Sequence, residues 1–458
     1  MPQPGRTDSG GRLCDMSLDA SALLKHAAKA ELRESEKILF GPQVFSTLDT
    51  LLLDIHAMLQ PRPIDYEHRR LLIEEFNRMA VDRFGNNDGF PTVEAFGSFV
   101  MDLFTSSSDL DLSVNFSNDM NNFPRNEKIS ALGKLSKVLY GHQRKGYVTR
   151  VLPIMGARVP VLKVVDCRTG VECDISVENK DGISRSLIFR FVSSIDERFR
   201  ILCYLMKAWA KAHDINSSKD HTMNSLSIIA LVAFHLQTRN PPILPPFCAL
   251  FKDGTDMLSI EQKVAGFKNF GLRNQESVAE LFVSLLSKLS SVERLWEHGL
   301  CASTCEGSWI CKKTWASGVG NMTVEDFLDQ SENFARSVGE AGMQKIYRCI
   351  HVDDLNAPRK EGVHNEVVRH KRRYPFHDAG TSVKPTASKR PRPGLNFWPP
   401  HPALTAYHRP FASFGAGYGL SPPLQHPFAA SQRGNSKFKR LIISSESDGL
   451  RCFRGTLK

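Results

Sequence analysis

From Ala20 to Leu59 the apolar positions recur three and four residues apart: Leu23, Leu24, Ala27, Ala28 and Leu32, then Val44, Leu48, Leu51, Leu52, Ile55 and Leu59. That spacing lines one face of a helix, and Gly41-Pro42 divides the run into two helices. A third helix is predicted over Asp65–Phe84, entered from "QPRP" with Asp65 as its N-cap. The period then changes. "TVEAFGS", "DLDLSVNF", "VTRVLPIM", "RVPVLKVVD" and "GVECDISVEN" are short runs rich in Val, Ile and Leu, separated by Gly or polar loops, and they read as strands. Residues 159–166 and 171–177, joined by "CRTG", form a predicted hairpin. From about Ser186 the helical period returns, in "LIFRFVSSIDERFRILCYLMKAWAKAHD", "NSLSIIALVAFHLQ" and "NQESVAELFVSLLSKLSS". A strand-rich α+β module over 61–185 is thus bracketed by helical segments, 21–60 and 186–355, which make a second, mainly helical module.

Composition changes the picture at the two ends. Residues 1–20 hold little apolar content and are expected to be disordered, and 356–458 carry 12 of the 25 prolines in low-complexity runs, so a disordered C-terminal tail is expected as well. The tail also carries the charge. Of 59 basic and 49 acidic residues it holds 18 and 5, which leaves the rest of the chain at −3 although the whole is at +10. "RHKRR" (369–373) and "KRPRP" (389–393), with Tyr, Phe and Trp interleaved over 374–428, suit nuclear import, RNA backbone contact or a partner. No run of roughly 18 apolar residues predicts a membrane span. The N-terminus lacks the order of a secretory signal, and ten cysteines without regular pairing read as free thiols in a reducing compartment. "EHGLCASTCEGSWIC" places His298, Cys301, Cys305 and Cys311 together, but without the second compact pair that structural zinc uses, so these are expected to be loop or core residues.

The candidate chemistry lies in the strands. Asp109 and Asp111 are i and i+2 and share a strand face, while Leu110 and Leu112 point the other way into a core. Two carboxylates so placed repel unless a cation lies between them, and Mg²⁺ suits a short acidic pair. In "GVECDISV" the alternation buries Val171, Cys173, Ile175 and Val177 and leaves Asp174 to face the pair from a neighbouring strand. Gly97-Ser98 ends the run "TVEAF" and opens a helical turn, an arrangement that offers N–H groups and a hydroxyl to a phosphate.

"FGSFVMDLFTSSSDLDLSV" together with "VECDISVEN" resembles the polymerase-β-type nucleotidyltransferases, specifically the template-independent terminal uridylyltransferases and noncanonical poly(A) polymerases. The resemblance continues through "LMKAWAKAHDIN", "HTMNSLSIIALVAFHLQ", "NPPILPPF" and "EDFLDQSENFARSV", spans roughly residues 40–350, and is most like the plant branch that uridylates small RNAs and their cleavage products. It implies a catalytic domain over 61–185 and a helical nucleotide-recognition domain from 21–60 and 186–355. It also implies two ions, Mg²⁺ or Mn²⁺, held by Asp109, Asp111 and Asp174, with Asp174 activating the RNA 3′-hydroxyl. Ser98 would bind the outer phosphates, Lys207 and Lys211 the triphosphate, and Ser225 and Asn179 the nucleotide.

The implied base pocket departs from the family pattern. Leu226 stands where many uridylyltransferases stack a tyrosine on uracil, Arg185 where a second asparagine is common, and Glu332, followed by Asn333, where several carry a histidine. UTP preference therefore follows from the branch resemblance and not from these residues. The function expected is uridine addition to RNA 3′ ends, promoting decay, in nucleus and cytoplasm, with a small-RNA effector or RNA-decay proteins reached through the tail. A noncanonical poly(A) polymerase and a catalytically silent RNA-binding scaffold are the alternatives. A small-molecule nucleotidyltransferase shares the acidic triad, but the helical module and basic tail favour RNA.

Overall fold

The computed structural model describes residues 19–351 apart from 37, 39–40, 86–90, 117–122, 253–255 and 316–319. The tail with its basic segments, and residues 1–18, therefore lie outside the described residues. Helices α1 (Ala20–Glu36) and α2 (Pro42–Leu59) separate at Gly41, and Pro42 sits in the first turn, where a missing N–H is not needed. Helix α3 (Pro63–Phe84) begins two residues earlier than expected. Asp65 is its third residue and not its cap: the carboxylate reaches back to accept from the Arg62 backbone N–H at 2.8 Å.

Strands β1 (Thr92–Phe96), β2 (Leu110–Asn115), β3 (Val148–Ile154), β4 (Val161–Asp166) and β5 (Glu172–Val177) form one mixed sheet in the order β1-β2-β5-β4-β3. All neighbours run antiparallel except β2 and β5, which are parallel. The short α4 (Gly97–Val100) follows β1, and α5 (Arg125–Arg144) lies between β2 and β3. One sheet face is packed against α3 and α5: Leu110, Leu112, Val114, Cys173, Ile175 and Val177 meet Leu72, Phe76, Leu132, Leu135 and Leu139. Burying each such side chain contributes about 1.5–3 kcal/mol, enough to fix which way the strands face. The alternate residues, Asp111, Lys163 and Asp174, are thereby committed to the other face.

The second core is helical. It is built from α6 (Lys180–Val192), α7 (Glu197–Ala212), α8 (Ser225–Gln237), α9 (Met257–Ala265), α10 (Val278–Ser291) and α11 (Glu340–Ile350). Helices α1 and α2 join it by packing on α10 and α7. Every residue of α8 from Ser227 to Gln237 is buried, as expected of a helix apolar all round. A small sheet, β7-β6-β8, from β6 (Leu300–Ser303), β7 (Ser308–Cys311) and β8 (Val324–Glu325), was not expected, because strands of two to four residues are too short to show a period. Met101 and Leu103, just beyond α4, are buried in the helical core. The segment between β1 and β2 thus leaves the sheet and enters the second core, so β2 starts where the two cores meet. Among the described residues no helix is long and apolar enough to cross a membrane.

Candidate active site

Strand register assembles the acidic group. Asp111 on β2 lies directly opposite Asp174 on the parallel β5, and Asp109 is exposed one residue before β2 begins. One carboxylate oxygen from each of the three lies within 4.8 Å of the others. Burial first, then Asp109 and Asp174, push the Asp111 carboxyl well above the usual carboxylate range. Three convergent carboxylates with a destabilised central charge are the donor set a hard divalent cation fits.

Gly97 is required beside them. Its φ is +69°, and a Cβ there would lie 2.0 Å from Asp111 Oδ2. Its N–H donates to Ser186 Oγ at 2.7 Å, and that hydroxyl donates to the Gly182 carbonyl at 2.6 Å. Gly97 therefore does not offer its N–H to a phosphate, as the sequence suggested; it makes room for Asp111. Ser98 stands half-buried in the first turn of α4.

Two supporting residues escaped the sequence reading. Lys163 on β4 pairs with Asp174 in register and its ammonium donates to both carboxylate oxygens, at 2.7 and 2.8 Å, and to Glu172 at 2.9 Å. Burial opposes its charge, but those hydrogen bonds prevail and raise its pKa above the ordinary lysine value. Burial likewise raises the Asp174 carboxyl, with Lys163 opposing. The lone lysine in "VLKVVD", on the same face as the triad, was the available signal. The other is Arg69 of α3, 1% exposed, its guanidinium 4.6 Å from the centre of the Phe104 ring. It donates to the carbonyls of Asp65, Thr105, Ser106 and Ser108, and so ties down the loop that delivers Asp109. Asp65 and Asp109 lie near enough to offset its charge, and a buried arginine is unusual on a helix otherwise packed through Leu72, Phe76 and Ala80.

The lysines and pocket residues divide. Lys207 of α7 donates to the Leu103 carbonyl at 2.7 Å, and desolvation, then Lys211, pull its pKa down to about 8. Lys211 is exposed one turn on. Ser225 opens α8, its hydroxyl 3.5 Å from Asn216 Oδ1, and Leu226 packs partly buried against the helical core. Asn179 caps α6 through Gly182 N–H at 3.3 Å, at the edge of a cleft of about 410 Å³ that Lys128, Arg158 and Lys180 also line. Arg185 pairs with Asp326 at 2.6 Å.

Two expected nucleotide contacts have other partners. Both Glu332 oxygens accept from Arg158, at 2.7 and 2.8 Å, which offsets the carboxylate's charge. The hydrogen bond from Arg158 holds the Glu332 carboxyl below its ordinary value. Asn333 is fully buried, accepting from the N–H groups of Val324 and Ala335 and donating to the Met322 carbonyl. It is a strut of the 322–335 loop. Asn333→Ala leaves those three buried groups unpaired, and a loss of about 3 kcal/mol is expected in urea unfolding.

Elsewhere, Cys301 is buried in β6, and Cys305 Sγ accepts from Gln330 at 3.3 Å. Among the described residues, the aspartate triad is the group of His, Cys, Asp or Glu close enough to share a metal.

A family model, that of the central palm domain of poly(A) RNA polymerase, mitochondrial-like, matches residues 48–194. Protein HESO1 of Arabidopsis thaliana is 36% identical over 327 residues, which cover 67% of this chain and 63% of that protein. In sequence the chain is similar to the terminal nucleotidyltransferases. Terminal uridylyltransferase 7 of Homo sapiens is 26% identical over 335 residues, 70% of this chain and 21% of its own length. Poly(A) RNA polymerase cid11 of Schizosaccharomyces pombe is 24% identical over 331 residues, 69% and 64%. The chain thus spans less than two thirds of each of these relatives. Among solved structures, mtPAP in complex with UTP shares the terminal nucleotidyltransferase fold with a TM-score of 0.55 at 19% identity, covering 72% of this chain and 69% of that one. The Cid1 poly(U) polymerase does so at 0.53 and 18%, covering 68% and 95%.

Proposed function

We propose that this chain is a template-independent RNA uridylyltransferase that transfers UMP from UTP to RNA 3′ ends, with Mg²⁺ or Mn²⁺ held by Asp109, Asp111 and Asp174. The observation that carries the reading is the register that sets Asp111 opposite Asp174 on adjoining strands, with Asp109 beside them and Lys207 of α7 near enough to act on Asp111. Bound divalent ions supply charge neutralisation on the triphosphate during an in-line displacement. The RNA 3′-oxygen forms a bond to the α-phosphorus while the bond to the departing pyrophosphate breaks. In this reading Lys207 and Lys211 offset charge on the outer phosphates. Asp174, whose oxygens Lys163 orients, accepts the proton of the 3′-hydroxyl at its carboxylate.

Support for UTP comes from the human relative, which is named a terminal uridylyltransferase. The second reading, ATP addition, is favoured by the poly(A) polymerases among the relatives and by Leu226, whose side chain packs into the helical core. With each of the four NTPs on a labelled RNA, UTP is expected to be incorporated at least about 10-fold faster than ATP, a difference worth roughly 1.4 kcal/mol. The reverse order would make the chain a poly(A) polymerase, and incorporation of neither would leave an RNA-binding scaffold. As part of the same reading, added uridines mark RNA for decay, and the basic tail serves the enzyme in nucleus and cytoplasm and recruits small-RNA or decay proteins.

A further inference from the structure

Helix α1 and the turn after α10 enclose a cavity of about 400 Å³ that shares no residue with the aspartate site. His26, Lys29, Ala30 and Arg33 line it from α1, and Ser290, Ser291, Glu293, Arg294 and Leu295 from the other wall. Lys29 and Arg33 are i and i+4, so they stand on one stripe of the helix and repel each other. The opposite stripe, Leu23 and Ala27, is buried in the helical core, which fixes the direction the basic stripe faces. Arg294 approaches from the second wall. Among the described residues, none of Lys29, Arg33 and Arg294 has a carboxylate partner or a hydrogen bond.

The charges that could compensate them are engaged elsewhere. Glu293 is bound by His351 at 2.8 Å, and Glu31, on the inner side of α1, is held by Lys288 at 2.7 Å. Ser291 donates to the Lys288 carbonyl and Ser290 pairs with His351 Nδ1, so the serines brace the wall. Lys29, Arg33 and Arg294 are exposed to solvent, and three cations lining one concavity with a single carboxylate, Glu293, attract an anion, whose phosphate oxygens guanidinium groups bind in pairs. The rest of the residues before the tail are near neutral or acidic overall, which makes this local excess of +2, Glu293 included, stand out.

We infer that this cavity binds phosphodiester groups of the acceptor RNA upstream of its 3′ end, through Lys29, Arg33 and Arg294. The inference rests on the proposed reading of the chain as an RNA-modifying enzyme and adds a second point of attachment, away from the chemistry. RNA is favoured over an acidic peptide because the site offers no apolar anchor beyond Leu295, and hot spots of protein interfaces are built on apolar or aromatic anchors.

The test compares the full chain with K29Q/R33Q/R294Q and with K29Q/R33Q, the second guarding against a fold defect at Arg294. Binding of labelled RNAs of about 4 and about 20 nucleotides is measured by fluorescence anisotropy across salt concentrations, and UMP addition to the same RNAs is followed. For the long RNA, the triple variant is expected to bind roughly 10-fold more weakly, with a salt slope shallower by about 2, near 0.7 for each lost phosphate contact. The double variant should show about two thirds of that change in slope. The short RNA should be extended with kcat and KM unchanged. Equal weakening on both RNAs, or no change on the long one, overturns the inference, as does an acidic peptide that binds through these three residues while the long RNA does not. Should the wild type extend neither RNA with any NTP, the proposed function fails, while the anisotropy result still decides whether the cavity holds RNA phosphates.

Discussion

Asp111→Asn is expected to lower nucleotide addition about 10³-fold or more while leaving the metal-stripped protein as stable as the wild type or more so. The loss follows from removing the central carboxylate of a charge-stabilising site, where single groups are worth two to three decades. The unchanged or raised stability follows from register. Asp111 faces Asp174 directly across a strand pair with Asp109 beside them, and like charges so placed cost up to about 1 kcal/mol. Asparagine keeps the shape and removes the repulsion. Single-turnover assays and urea unfolding in a chelator measure the two effects. A variant that loses activity and stability together would mean that Asp111 is a structural group, and one that keeps activity would remove the triad from the mechanism.

Gly97→Ala should do the opposite to stability. The new methyl would lie 2.0 Å from Asp111 Oδ2 at a backbone φ of +69°, so both the helix turn and the carboxylate must shift. A non-glycine residue in that region costs about 1–3 kcal/mol. Displacing the carboxylate by about 1 Å is expected to cost a further 10²-fold in rate. Gly133, in the middle of α5, is the control: a Cβ there meets nothing within 4 Å, and Gly133→Ala should raise stability by about 0.5–1 kcal/mol with no change in activity. If the two substitutions behave alike in activity, close approach at Gly97 is not what positions Asp111.

The α3 boundary shows how local signals mislead by a residue or two. Asp65 has the chemistry of an N-cap, but Pro63 is already helical, and the same carboxylate serves the Arg62 N–H from inside the first turn. The strand alternation was more dependable, because burying Leu110, Leu112, Cys173 and Ile175 leaves Asp111 and Asp174 no other face. Glu332 and Asn333 were the least legible. Their neighbours in sequence say nothing of Arg158, 174 residues away, or of the Met322 and Val324 backbone that claims the asparagine amide. The three-stranded β7-β6-β8 sheet was invisible for a related reason: its strands are too short to show a period, and their pairing depends on the helical core beneath.

By itself the sequence determined the order of helices and strands, the faces of β2 and β5, and hence that three aspartates converge, since each of these follows from alternation between core and solvent within a few residues. Tertiary structure alone decided which polar groups remain available once folded. It gave Gly97's N–H to Ser186 and Glu332 to Arg158, and it left Lys29, Arg33 and Arg294 lining one cavity without a partner. Those pairings are made between residues distant in the chain, where the geometry of two packed cores, and not local periodicity, sets which charges meet.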